Sequence, residues 1–198
     1  MTLLILGLVL FLGIHTLTTV REPRAVLIGR LGEGPYKGLY SIVSTIGLVL
    51  IVWGFARYRD TAYLQIWSPP AWLHPVVLVL MWFAFVALAA AYSPPGWIKG
   101  RLRHPMLVGV KSWALAHLLA NGDLGALILF GAFLAWAVYD RIAVKRRGDS
   151  ALPATAGNAI GAPRSGFTTG DGIALVVGSV VYVAMFWLHP IVIGVPIS

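Results

Sequence analysis

The sequence predicts an all-α polytopic membrane protein, a bundle of six transmembrane helices or, on a stricter count, five. Three observations carry this. Of 198 residues, 59% are hydrophobic and 11% charged, a balance foreign to soluble domains. Apolar runs recur along the chain, each near the roughly 20 helical residues that cross a hydrocarbon core of about 30 Å. Lys and Arg gather in alternate connections, as the positive-inside rule requires.

The first run covers 2–20. It has no basic stretch before it and no small-x-small cleavage site, so it reads as a retained helix rather than a removed signal. A basic loop follows, within which Gly32-Glu33-Gly34, backed by Pro35 and preceded by no strand, reads as a turn. The second run, 38–56, and the third, 71–92, are long and uninterrupted. The stretch SPPGWIKGRLR at 93–103 opens on helix breakers and continues with Trp97 and basic residues, which suits a short interfacial segment.

The fourth run, 105–120, and the fifth, 123–140, are short and meet at Asn121-Gly122-Asp123, a turn signal for a tight helical hairpin. Their brevity leaves five spans as the alternative count. Residues 141–170, rich in Gly, Pro, Ala, Ser and Thr after a basic run, are expected to form a flexible cytoplasmic loop within a single domain covering 1–198. The sixth run is 171–193.

Orientation follows from the fifteen basic residues. Arg21, Arg24, Arg30 and Lys37 lie in the first connection, Lys99, Arg101 and Arg103 in the third, and Arg141, Lys145, Arg146, Arg147 and Arg164 in the fifth. Only Arg57 and Arg59 fall on the opposite side, while Lys111 lies inside a run. Six spans therefore place every basic cluster in the cytoplasm and both termini outside. The net charge of +8 is spread over these loops with no nucleic-acid motif, so anionic lipid headgroups rather than nucleic acid are the expected partner. The chain has no cysteine, which excludes disulfides, thiolate metal sites and Cys-based catalysis. No nucleotide-binding loop, zinc-hydrolase His-Glu pair or nucleophile elbow is present.

Most Trp residues, Trp53, Trp67, Trp72, Trp97, Trp136 and Trp187, fit interfacial belts. Small residues at Gly7, Gly13, Gly47, Gly54, Gly125 and Gly131 suit close helix packing. The His-Pro dipeptides at 74, 104 and 189 stand near run ends without establishing a repeat.

The chemistry lies in polar groups that a bilayer penalises. All five histidines, His15, His74, His104, His117 and His189, fall in or beside a run. Any one of them alone suits an interfacial or packing role; together they suggest ligands. On one helix His104 and Lys111 are about 20° from superposition, whereas His117 points about 140° away from His104, with Trp113 near its face.

Two imidazoles from different helices can clamp a haem iron when their α-carbons are roughly 12 to 13 Å apart. By depth His15 pairs readily with His104, while His15 with His117 needs an offset of about 14 Å along the membrane normal. Residue geometry leaves both pairs open. Lys111, deep for snorkelling, suits a counter-charge to an anionic cofactor group or a proton relay.

Gly13-Ile14-His15 with Arg21 and Pro23, the stretch from Tyr36 to Gly54, Arg103-His104-Pro105 through Trp113 to Ala116-His117, and Asn121-Gly122-Asp123 together resemble the NnrU family of bacterial membrane proteins. The resemblance reaches to about residue 140 and includes the last run; 103–123 is its specific part. The same family includes the plant and cyanobacterial 15-cis-zeta-carotene isomerase. The resemblance implies a link to denitrification and nitric oxide metabolism, or haem b chemistry of the isomerase kind. It carries axial ligation over to His15 and His117. The isomerase has a cysteine three residues before its second histidine, where this chain has Ala114, so ligand-switch chemistry is not carried over with it.

The leading expectation is a multi-pass protein of the bacterial inner membrane that binds haem b, with His15 and His117 as metal ligands. His104, Lys111 and Trp113 complete the expected cofactor site. Other membrane redox proteins would be its partners. The alternatives are a haem-dependent cis-trans isomerase of a lipophilic, carotenoid-like polyene, and a cofactor-free membrane scaffold or assembly factor.

Overall fold

The computed structural model describes residues 1–146 and 166–193. Among the described residues eight helices follow one another: α1 (Thr2–Thr19), α2 (Arg21–Leu31), α3 (Glu33–Thr61), α4 (His74–Tyr92, entered through a 3₁₀ turn, Ala71–Leu73), α5 (Trp97–Leu102), α6 (Pro105–Ala120), α7 (Leu124–Arg146) and α8 (Thr169–Ile193). Among the described residues the only β feature is an isolated bridge between Gln65 and Asp123.

Five helices, α1, α3, α4, α7 and α8, are long and apolar enough to cross a membrane. Helix α6 has 16 residues, about 24 Å of rise, short of the hydrocarbon thickness. The structure thus supplies five full-length spans, with the fourth apolar run forming a shorter helix. Large apolar side chains face outward along the long helices, among them Val9, Val52, Val79 and Val180, each more than 60% exposed. In a soluble protein such surface would be a liability; against lipid tails it carries no penalty.

Two segments depart from expectation. The basic stretch after the first run is helix α2. Pro23 lies in its first turn, where a missing N–H costs nothing, and Gly32 ends it at φ +84°, a conformation that favours glycine. The same Gly32 carbonyl accepts the Tyr36 N–H at 3.2 Å and so opens α3. Helix α7 runs on through Arg146, into the segment expected as loop; residues 147–165 of that loop lie outside the described residues.

The described chain groups into two compact units, Met1–Pro69 with α7, and Pro70–Ala120 with α8. In the first, α1 runs antiparallel to α3 at backbone contact. A Cβ on Gly7 would stand 2.6 Å from the Ile51 nitrogen, one on Gly47 2.8 Å from the Phe11 nitrogen, and one on Gly54 would strike the Leu4 backbone. Gly13 and Gly131 meet nothing within 4 Å, so they do not serve the packing expected of them. Tyr58, fully buried, lies over Gly125 of α7 and accepts the Leu64 N–H at 3.0 Å.

The Asn121-Gly122-Asp123 turn appears as expected, three residues between α6 and α7. The Gly122 carbonyl takes the N–H groups of Ile66 (2.8 Å) and Trp67 (3.1 Å). Asp123 caps α7 through the Ala126 N–H at 2.9 Å.

In the second unit α4 packs against both α6 and α8. Gly178 of α8 lies against the Val86 backbone, and the Trp82 indole donates to the Ser179 hydroxyl at 2.9 Å. The segment from 93 to 103 holds the short helix α5, and its charges have structural duties. The Lys99 ammonium donates to the carbonyls of Ala91 and Ser93, both at 2.9 Å, closing the C-terminal end of α4.

The buried Asp171 carboxylate accepts the N–H groups of Trp97 (2.9 Å), Ile98 (2.7 Å) and Thr168 (2.8 Å), and the Thr168 hydroxyl at 2.9 Å. One side chain caps two helices, α5 and its own α8.

Candidate functional site

Helix α1 is apolar along nearly its whole length, and His15 is its most polar interior group. The imidazole Nδ1 lies 2.6 Å from the Phe11 carbonyl one turn back. A carbonyl can only accept, so Nδ1 carries the proton and Nε2 is left as the basic, lone-pair nitrogen. Three rings surround it. Phe11 stacks at 4.2 Å between centroids, Tyr40 of α3 stands at 5.3 Å, and Trp136 of α7 meets it edge-on at 5.9 Å. Below this layer the Thr19 hydroxyl donates to Asp140 at 2.7 Å, tying α1 to α7.

Helix α6 repeats the arrangement. The His117 Nδ1 lies 3.0 Å from the Trp113 carbonyl, again at i−4, and the Trp113 ring stands 5.3 Å from the imidazole. Both histidines are thus presented alike: Nδ1 spent on the helix's own backbone and an aromatic neighbour at i−4 beside the ring. This is how a ligating imidazole is prepared, because the hydrogen bond at one ring nitrogen fixes the tautomer and raises the basicity of the other.

The structure sorts the remaining site residues. His15 belongs to the first unit, and His104, Lys111, Trp113 and His117 to the second. His104 stands one residue before α6, its carbonyl accepting the Val108 N–H at 3.1 Å, so it occupies the helix's capping position. Arg103 before it has φ +61°, an uncommon conformation for a side-chain-bearing residue.

Lys111 is half-buried in mid-α6, and no side chain among the described residues pairs with its ammonium. His74 is exposed at the first position of α4, and His189 precedes a proline inside α8. Among the described residues no three of His, Cys, Asp and Glu gather as a bare-ion site.

Phe11, Tyr40 and Trp136 were not among the residues expected at the site. The signal for the first two was available: Phe11 is at i−4 of His15, and Tyr36 and Tyr40 share one face of α3. Trp136, expected in an interfacial belt, is turned toward His15 instead. Its indole Nε1 and the Tyr36 hydroxyl are buried and have no hydrogen-bond partner among the described residues.

A family model described as NnrU protein matches residues 3–197 of the chain. No curated protein and no solved structure matches it.

Proposed function

The chain belongs to the NnrU protein family, and from that membership we propose an integral protein of the bacterial inner membrane that binds haem b. Its axial ligands are the imidazoles of His15 and His117, and its role lies in nitrogen-oxide or other redox metabolism. The observation that carries the ligand assignment is the shared geometry of the two histidines, each with Nδ1 on an i−4 carbonyl and the aromatic ring of that same i−4 residue beside the imidazole.

The donor set fits the group: neutral imidazole is a preferred haem ligand, and the aromatic walls around His15 suit a flat macrocycle. Bound there, haem would supply a one-electron couple and a metal site for small ligands. The chain's own part is to hold each ring and exclude water from it. Lys111 offers a positive charge to an anionic group or a station for a proton. The family resemblance supports the nitrogen-oxide role; lipids, a lipophilic small molecule and membrane redox proteins are the partners it would meet.

The test is the visible spectrum of detergent-purified, haem-replete protein, oxidised and dithionite-reduced, beside His15→Ala, His117→Ala and His104→Ala. A Soret band that shifts on reduction, is changed or lost in the first two variants and persists in the third is expected. Haem stoichiometry in the single variants decides whether the two imidazoles serve one iron or two. Absence of the band from wild-type protein would overturn the proposal.

A further inference from the structure

Two buried donors in the first unit have no acceptor among the described residues. Tyr36 is only 5% exposed, and neither its hydroxyl nor the Trp136 indole Nε1 finds a partner. Native interiors rarely leave such groups unpaired. Both belong to the surroundings of His15: Trp136 touches its ring, and Tyr36 stands one helical turn before Tyr40, which touches the same ring from α3.

The chemistry of the missing partner follows from the donors. Indole can only donate and a phenol donates readily, so the partner brings acceptor oxygen. Charge narrows the choice. The Arg24 guanidinium lies over the Tyr36 ring, 5.8 Å from its centroid, and the carboxylate of this layer, Asp140, already accepts the Thr19 hydroxyl. An anionic oxygen next to Tyr36 would therefore meet a positive charge as well as a donor. Position agrees, since Tyr36 lies in the first turn of α3, beside the exposed Lys37–Glu33 ion pair, where an ionised group stays near water while its apolar body reaches the rings around His15.

We propose that Tyr36 and Trp136 form a carboxylate-binding subsite beside His15, supported by Arg24, and that its occupant is a propionate arm of the porphyrin. The inference rests on the haem reading above and adds to it the residues that hold the cofactor's acidic edge. It also separates them from Lys111, the other cation available to such a group.

Titration of purified full-length protein with haemin and with haemin dimethyl ester, followed by the Soret band, tests it. The ester keeps the iron and the ring but removes the ionised oxygens. Wild-type protein is expected to bind haemin on the order of tenfold more tightly than the ester, the discrimination one hydrogen bond to a charged group supplies. In Tyr36→Phe/Trp136→Phe the ratio of haemin to ester affinity is expected to fall to about one, while Lys111→Met keeps it.

Equal binding of both porphyrins by wild-type protein would leave the haem reading standing and overturn the subsite. So would a preference that survives the double variant, or one that vanishes in Lys111→Met. Uptake of neither porphyrin removes the haem reading and this inference together.

Discussion

A carbonyl one turn behind a histidine decides which imidazole nitrogen faces the rest of the site. At His15 and His117 the same backbone bond makes that choice. What the residues could not disclose was the company each ring keeps. The walls of the His15 site come from α3 and α7, far away in the chain, and Trp136 reads from sequence alone like any belt tryptophan. Asp171 was equally hidden, because an acid at a helix start looks like a local cap. Its Oδ atoms in fact hold the N–H groups of Trp97 and Ile98. Asp171→Ala strands these donors and is expected to cost about 3 kcal/mol of stability. Thr168→Ala, which removes one hydroxyl contact, is expected to cost about 1 kcal/mol. Chemical denaturation in mild detergent reads both, and equal effects would show that the carboxylate does not span two helices.

At the scale of helices, hydropathy located every long element, since each needed only a run of apolar side chains, but it stopped short where α3 and α7 continue past the apolar run into polar sequence. It missed α2, whose composition is that of a loop; the cues were Pro23 at its start and Gly32 at its end. It also treated all paired glycines alike, whereas only the structure separates those at a helix contact from those facing open space. Gly54→Leu drives a side chain into the Leu4 backbone and is expected to lower stability by about 3 kcal/mol, as overpacking does. A Cβ at Gly131 meets nothing within 4 Å, and Gly131→Ala is expected to melt at or slightly above wild type, since alanine favours the helix. Melting curves of the two variants side by side test whether α1 and α3 are in backbone contact. A parallel comparison applies to the hairpin turn: a Cβ in Gly122→Ala collides with the Trp67 carbonyl, so the variant should lose stability.

For the whole molecule, charge and length together bear on how the chain lies in the bilayer. The twelve basic residues of three connections predict a cytoplasmic side, and alkaline phosphatase fused after residue 67 is expected to be active while a fusion after residue 31 is not. Helix α6 is the element on which the count turns: at about 24 Å it reaches across only if the bilayer thins or its hairpin partner carries the turn inward. Cysteine introduced at 121 and probed with an impermeant thiol reagent from outside measures how far that turn emerges, and the absence of native cysteines makes the label unambiguous. The twofold capping by Asp171 has a consequence in time as well as in space. The residues it joins are 74 positions apart, so a nascent chain exposes the start of α5 long before the ribosome has made the group that satisfies it. The second unit is then an assembly that waits for its last helix. A chain ending after α7 should be cleaved by protease between 94 and 103, where the complete protein resists.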